Sequence, residues 1–373
     1  MTDAEAYVAF NLTEQVGSVR VSELAKRAGG VAAAWAAYPK KVSRQGGEVD
    51  WKGEFAVAAK FGVRLVTPAD GDYPKALFDC PSHPLALYVK GDVKALSKPS
   101  VAIIGTRRAT AYGLDQANRF GRGLAEAGWC VVSGLALGID AEAHRGALAA
   151  NGVTVGVIGS GLDRFYPEEN RDLAREIVRR GGAVVSEFPF GRSPDTQTFP
   201  QRNHVVAALS RGTVAIEAPV KSGTLITTGI AADLGRTVMA LPGRVDSRSS
   251  AGCLALIRDG ARLVRSPADA IDELSELFPR ATTVVERTPP SASHVSASLV
   301  SAPPAPEPPV APSYSVEESL VMRELDAEGV SMDELVRRTK LPAAKVGAVC
   351  MTLRMKGRVR FFPGNRVALP REA

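Results

Sequence analysis

The feature that most constrains this chain is a series of short apolar runs beginning near Ser100, separated by stretches with helical spacing. The runs are 101–104, 129–132, 154–158, 183–185, 213–216, 237–241 and, more weakly, 262–264. Each has the length of a strand, and its apolar character is continuous where a half-exposed strand would alternate. Such strands are buried on both faces, and the helical stretches supply the crossovers that parallel pairing requires. The expected architecture is therefore α/β, a Rossmann-like, doubly wound parallel sheet. Sheets of this kind bind ligands beyond the carboxyl ends of their strands. The segments that follow each run are where chemistry is to be sought.

Those segments share a character. The first run is followed by Gly105, Thr106, Arg107 and Arg108, the second by Ser133, Gly134 and then Gly138 and Asp140, the third by Gly161. A long loop after the fourth ends in Phe199-Pro200-Gln201-Arg202-Asn203, and the fifth leads to Lys221-Ser222-Gly223-Thr224. Small residues let a ligand approach peptide N–H groups, helix N-termini favour phosphate, and Arg107, Arg202 and Lys221 bring countercharge. One glycine after a strand is only a tight turn, and one arginine is only surface. Five consecutive strand ends with the same chemistry describe a polyanion or nucleotide site.

Other chemistries fit these residues poorly. No G-x-G-x-x-G follows the first run, Lys221-Ser222-Gly223-Thr224 is not a Walker A loop, and no G-x-S-x-G elbow is present. Asp140 and His144 stand four apart and could hold a metal, but Asp140 reads better as a helix N-cap and the pair as structural. Glu217, at the fifth strand end, is expected to pair with a neighbouring arginine rather than act as a base. The site thus calls for no metal, no cofactor and no catalytic residue, and the expected protein is a binder rather than an enzyme.

The flanks differ from this body. Residues 1–65 are alanine-rich and helical, expected as a small SAM-like domain with Trp35, Tyr38, Trp51 and Phe55 in its core. The Rossmann-like domain follows over 66–285. Residues 286–312 hold eight prolines and five serines in 27 positions, the composition of a linker. In 313–373, helices are expected at 316–328, 331–339 with its S-x-x-E capping box, and 342–356, then strands 359–362 and 366–369 around Pro363-Gly364-Asn365. Three helices and a hairpin is the order of a winged helix. Its 313–336 half has one arginine against seven acids, and 337–373 has ten Lys or Arg against one Glu. A basic third helix and wing fit DNA, while winged helices also serve as protein docking modules.

Composition sets outer limits. A length of 373 residues suggests two or three domains, and 45% hydrophobic content excludes a chain disordered throughout. The net charge of +6 permits a nucleic-acid partner without requiring one. Cys80, Cys130, Cys253 and Cys350 show no C-x-x-C spacing, which fits a reduced, cytoplasmic setting. The first eleven residues carry Asp3 and Glu5 and no apolar core, and no run of 18 apolar residues occurs, so neither secretion nor membrane insertion is expected.

Several linked motifs together resemble the DNA-processing protein A (DprA/Smf) family. They are Gly105-Thr106-Arg107, Ser133-Gly134-x-Ala136-x-Gly138-Ile139-Asp140 with His144, and Gly161-Leu162-Asp163 with Tyr166-Pro167 and Asn170. Phe199-Pro200-x-Arg202-Asn203, Ser222-Gly223-Thr224 and Pro242-Gly243 complete the set, which spans roughly 67–264. The resemblance implies a single-stranded DNA binder that dimerises through the Rossmann-like domain and loads the RecA recombinase, notably in natural transformation. The DNA-contacting set would then be Gly105, Thr106, Arg107, Arg108, Ser133, Gly134, Gly161, Asn170, Arg171, Arg202, Asn203, Lys221, Ser222, Gly223 and Thr224. Phe165 and Tyr166 could stack on bases or equally be loop packing. Two positions depart from the family pattern: Thr106 stands for a serine, and His204 for an arginine. Loss of that cation is expected to weaken one phosphate contact or shift it to Arg171 or Arg211.

Overall fold

Alternate residues of the central strand explain why the sheet is covered on both sides. Val101 and Ile103 point into one apolar cluster and Ala102 and Ile104 into the other, so a run without alternation fills two cores. The computed structural model describes residues 1–39, 41–44, 46–277, 315–325, 330–356, 358–362 and 366–368. The chain forms two units, Met1–Val284 and Val285–Ala373.

The first unit opens with helices α1 (Asp3–Leu12), α2 (Ser18–Ala28), α3 (Val31–Ala37) and α4 (Trp51–Phe61). There follow β1 (Arg64–Val66), β2 (Leu87–Gly91), β3 (Ser100–Ile104), α5 (Ala111–Glu126), β4 (Cys130–Ser133) and α6 (Ile139–Ala149). Next come β5 (Thr154–Val157), α7 (Arg171–Arg179), β6 (Ala183–Ser186), α8 (Thr198–Leu209), β7 (Gly212–Ala215) and α9 (Gly223–Asp233). The unit closes with β8 (Thr237–Ala240), α10 (Ala251–Arg258), β9 (Arg262–Leu263) and α11 (Pro267–Leu277).

The strand order is β1-β2-β6-β5-β4-β3-β7-β8-β9. From β6 to β9 every pairing is parallel, while β2 joins β6, and β1 joins β2, antiparallel. All seven expected strands are present. β1 and β2 are additions: β1 has three residues, and β2 is buried only over Leu87–Val89 before Lys90 and Gly91 emerge. Helices α5, α6 and α11 cover one face through Phe120, Leu124, Ala143 and Leu274, and α8 covers the other through Val205, Val206 and Leu209.

The N-terminal helices are held by the aromatic residues the sequence pointed to. Thr2 and Glu5 form a reciprocal capping box on α1, and Phe10 meets Trp35 edge-on at 5.1 Å. Trp51 and Phe55 pack against a cluster of Val8, Leu12, Tyr88 and Phe190, so these helices share a core with the β2 edge.

The second unit contains α12 (Val316–Arg323), β10 (Val330–Ser331), α13 (Met332–Thr339), α14 (Ala343–Met355), β11 (Arg360–Phe362) and β12 (Arg366–Ala368). Its sheet, ordered β10-β12-β11, is antiparallel, and Val321, Leu335, Val346, Leu353 and Val367 share one core. This is the expected winged-helix arrangement, with α12 shorter than the 316–328 read from periodicity. The proline-rich stretch 286–312 and the turn 363–365 lie outside the described residues. Many cations of the basic half are bound to the unit's own acids: Lys345 to Glu317, Lys356 to Glu318 at 2.6 Å, and Arg337 and Arg338 to Glu334.

Candidate nucleic-acid interface

Strand order reverses at β3, which has β4 on one side and β7 on the other. A crevice is expected there, outside the carboxyl ends, and a cleft of 340 Å³ occupies it. Thr106 N donates to Glu217 O at 2.7 Å, lacing the segment after β3 to the one after β7, and Ile139 N donates to Thr106 O at 3.3 Å. Gly138 makes this approach possible: its φ is +79°, and a Cβ would lie 2.5 Å from Thr106 O.

The floor is a buried polar knot. Arg202 is 5% exposed and donates through Nη1 to Gly134 O and Val157 O, tying the ends of β4 and β5 together. Asp140 Oδ2 accepts from Gly134 N at 3.1 Å and Ala136 N at 3.4 Å. A Cβ on Gly134 would sit 2.5 Å from both terminal nitrogens of Arg202 and 2.6 Å from the Asp140 carboxylate, so only glycine fits between them. Burial pushes the Arg202 guanidinium down to about 10, opposed by Asp140, so it stays charged at neutral pH. Burial raises the Asp140 carboxyl, and Arg202 opposes that shift.

The rim is of another kind. The Arg107 guanidinium lies over the Phe199 ring, 4.7 Å from its centroid, and the ring of the 47% exposed Tyr166 is 5.8 Å from that of Phe199. Arg108 N donates to Thr106 Oγ1 at 3.2 Å. Among the described residues neither Arg107 nor Arg108 has a carboxylate within ion-pair distance. Helix α9 begins at the cleft with Ser222 as N-cap, whose hydroxyl makes no capping bond, so the helix presents its N–H end there. Asn203 Nδ2 reaches Gly223 O at 3.4 Å, and Thr227 Oγ1 donates to the same oxygen at 3.2 Å.

Ten expected site residues line this cleft: Gly105, Thr106, Arg107, Arg108, Gly134, Arg202, Asn203, Ser222, Gly223 and Thr224. The rest do not. Ser133 is fully buried and donates to Ile103 O at 2.5 Å. Asn170 is buried and donates to Leu135 O at 2.9 Å and Ala136 O at 3.1 Å, which holds the β4–α6 loop. Gly161 lies against Pro189 O, and Lys221 is exposed beside the cleft without lining it. Arg171 is bound bidentately to Glu168 at 2.5 and 2.6 Å and, with Phe165, lines a separate groove. Tyr166 lies in a narrow extension of the cleft.

Three further readings change. Asp140 lies inside α6, whose N-cap is Gly138; its carboxylate instead gathers the N–H groups of the preceding loop. Among the described residues Glu217 pairs with no arginine; it accepts from Thr110 N at 2.9 Å, Thr110 Oγ1 at 2.6 Å and Ser249 Oγ at 3.3 Å, fixing the start of α5. His204 Nδ1 meets Gln201 O and its Nε2 is 3.6 Å from Glu187, outside the cleft lining, as are Arg171 and Arg211. His144 is structural, its Nδ1 2.7 Å from Thr154 Oγ1, and burial lowers its pKa to about 3. Sequence reasoning passed over Phe199, Pro200 and Thr227 as contact residues. Phe199 was legible as the aromatic three positions before Arg202 at a helix start.

Comparison with known proteins agrees with this geometry. Residues 64–275 match the family model described as DNA recombination-mediator protein A, and residues 302–365 match the DprA winged helix domain. The Smf protein of Synechocystis is 31% identical over 391 aligned positions, covering 96% of this chain and 97% of that protein. The DNA processing protein DprA of Bacillus subtilis is 37% identical over 58% of this chain and 72% of its own. Among solved structures, DprA from Streptococcus pneumoniae superposes with a TM-score of 0.62 at 33% identity, covering 73% of this chain and 98% of that one. DprA from Helicobacter pylori, whose structure concerns its single-stranded DNA binding mode, gives 0.52 at 32% identity over 57% and 96%. With its sheet unit and its tail each matched in order, this chain belongs to the DNA recombination-mediator protein A family, the DprA/Smf proteins.

Proposed function

We propose that this chain binds single-stranded DNA in the β3/β7 cleft, protects the strand, and loads the RecA recombinase onto it as a homodimer, as in natural transformation. The observation that carries this reading is the Arg107–Phe199 stack at the mouth of the cleft, beside the N–H end of α9. A single strand offers flexible phosphates and exposed base faces, and a cation lying on an aromatic ring serves both. The DNA-contacting residues are Gly105, Thr106, Arg107, Arg108, Asn203, Ser222, Gly223 and Thr224 on the rim. Arg202 and Gly134 line the cleft from its floor, and Ser133 and Asn170 act beneath it by holding strand ends and loop.

Binding rather than catalysis is favoured by the carboxylates. Asp140, the one acidic residue lining the cleft among the described residues, is engaged by two peptide N–H groups beside a buried guanidinium. Thr227 stands three residues beyond Thr224, where a nucleotide phosphoribohydrolase of related fold would need a glutamate. A duplex-DNA regulator acting through the tail is supported less, because Lys345 and Lys356 of its third-helix region are paired within the unit. No described helix is long and apolar enough to cross a membrane, in keeping with a cytoplasmic mediator.

The test is RecA-driven strand exchange on single strands coated with a single-strand-binding protein. The full chain is expected to shorten the lag, and Arg107→Ala to abolish that effect. Stimulation by Arg107→Ala equal to that of the unmodified protein, or release of free base from a mononucleotide, contradicts the reading.

A further inference from the structure

We propose a second phosphate site at the opposite, amino-terminal edge of the sheet. A cavity of 440 Å³ lies there, lined by Lys75 on the short helical turn Lys75–Asp79, Lys98 before β3, Arg211 between α8 and β7, and Arg236 before β8. Among the described residues Asp79 is the one carboxylate in its lining. Lys75, Lys98 and Arg236, three cations on three separate segments against one acid among the described residues, form a converging field rather than a solvated helix face. The groove beside α7 makes the contrast: Arg171, Arg175 and Arg179 there each hold the carboxylate three residues earlier, so little net charge is presented.

Arg236 anchors the cavity. Its side chain is 14% exposed, and Nη2 donates to Asp79 Oδ2 at 2.6 Å and to Ala76 O and Ala208 O at 3.4 Å. Its Nε is buried without an acceptor, and a buried donor in that condition is what an oxyanion oxygen or a water satisfies. The cavity is separate from the cleft: Phe199 lines one and Leu209 the other, ten residues apart on α8, about 15 Å at 1.5 Å per residue. The ligand class is a phosphate. It comes either from the backbone of a strand long enough to continue past the cleft, or from a free phosphate compound.

The experiment uses the full chain with Lys75→Glu and Lys98→Glu together. Both side chains are exposed; Lys98→Ala alone is the fallback should that pair unfold. Fluorescence anisotropy is read with oligothymidines of about 6 and about 25 nucleotides, and calorimetry with inorganic pyrophosphate in an Arg107→Ala background. If the strand supplies the phosphate, the long oligonucleotide loses at least about five-fold in affinity and about 1.4 in salt slope, two phosphates at 0.7 each, with the short one unchanged. If a free compound supplies it, the pyrophosphate heat disappears while both oligonucleotides bind as before, which also supports the site. Unchanged binding of all three probes overturns it. The calorimetric arm does not rest on the cleft reading. Should oligonucleotides bind neither protein, that reading fails while pyrophosphate still decides this one.

Discussion

The cleft rim and the winged tail are both basic in sequence, yet they spend their cations differently. In the tail Arg337, Arg338, Lys345 and Lys356 are held by Glu334, Glu317 and Glu318 of the same unit. At the cleft Arg107 lies on an aromatic ring and Arg108 has no acid beside it among the described residues. Exposed ion pairs add little to stability, about 0–1 kcal/mol each, but they cancel the field that a polyanion would feel. A count of lysines and arginines therefore says less about DNA than the places of the carboxylates. The net charge of +6 conceals that distinction.

The comparison can be broken first at the cleft floor, where the largest effect is expected. Arg202→Ala leaves Asp140 as a buried charge without its countercharge and two carbonyls without their donor. It should cost about 3–5 kcal/mol of stability, measured by urea unfolding of the first unit. A loss below about 1 kcal/mol contradicts the reading of Arg202 as the tie between strand ends.

Next is the rim against the tail. Phe199→Ala should weaken oligothymidine binding by about 1–3 kcal/mol, the worth of one stacked base, while deletion of 313–373 leaves the affinity within a factor of about two. The reverse ranking would move the primary site to the tail.

A smaller effect concerns pH. Burial pushes the Glu187 carboxyl up to about 8, opposed by Arg44 and Arg202, so its neutral form is favoured in the folded chain. Protons are held by the native state and not by the unfolded one between the ordinary glutamate pKa and about 8. The stability contributed is complete at low pH and is lost as pH rises through that window. The melting temperature of the unmodified protein minus that of Glu187→Gln should fall steadily from pH 5 to 8; a flat difference contradicts the shift. The smallest effect is expected in the tail: Glu317→Gln frees Lys345, changes stability by less than about 1 kcal/mol and raises non-specific duplex binding. Unaltered duplex binding would mean the pair masks nothing.

Much of the fold was legible because buried parallel strands write an unmistakable pattern: Val101–Ile104 is apolar at every position since it feeds two cores. β1 escaped because three residues opening on Arg64 carry no such run, and β2 because its apolar run, 85–89, stands ahead of the helix-separated series that begins near Ser100 and leads straight into Lys90-Gly91. At the site, glycines and small hydroxyl residues at strand ends pointed to segments that line one cleft, since close backbone approach permits little else. What the sequence could not separate was rim from floor. Arg107 and Arg202 are the same residue type in similar settings, and only the tertiary path of α8 buries one and exposes the other. The partner of Glu217 was misread for the same reason: Thr110 lies 107 positions away in sequence.

Arg107 carries the central claim, and its salt-dependent affinity is the most direct measurement. Oligothymidine binding to the unmodified chain and to Arg107→Ala is followed by fluorescence anisotropy across a range of salt. The variant should bind at least about ten-fold more weakly, with a slope of log affinity against log salt shallower by about 0.7, one phosphate contact. Equal affinity and equal slope in the two proteins would remove the cleft from the argument.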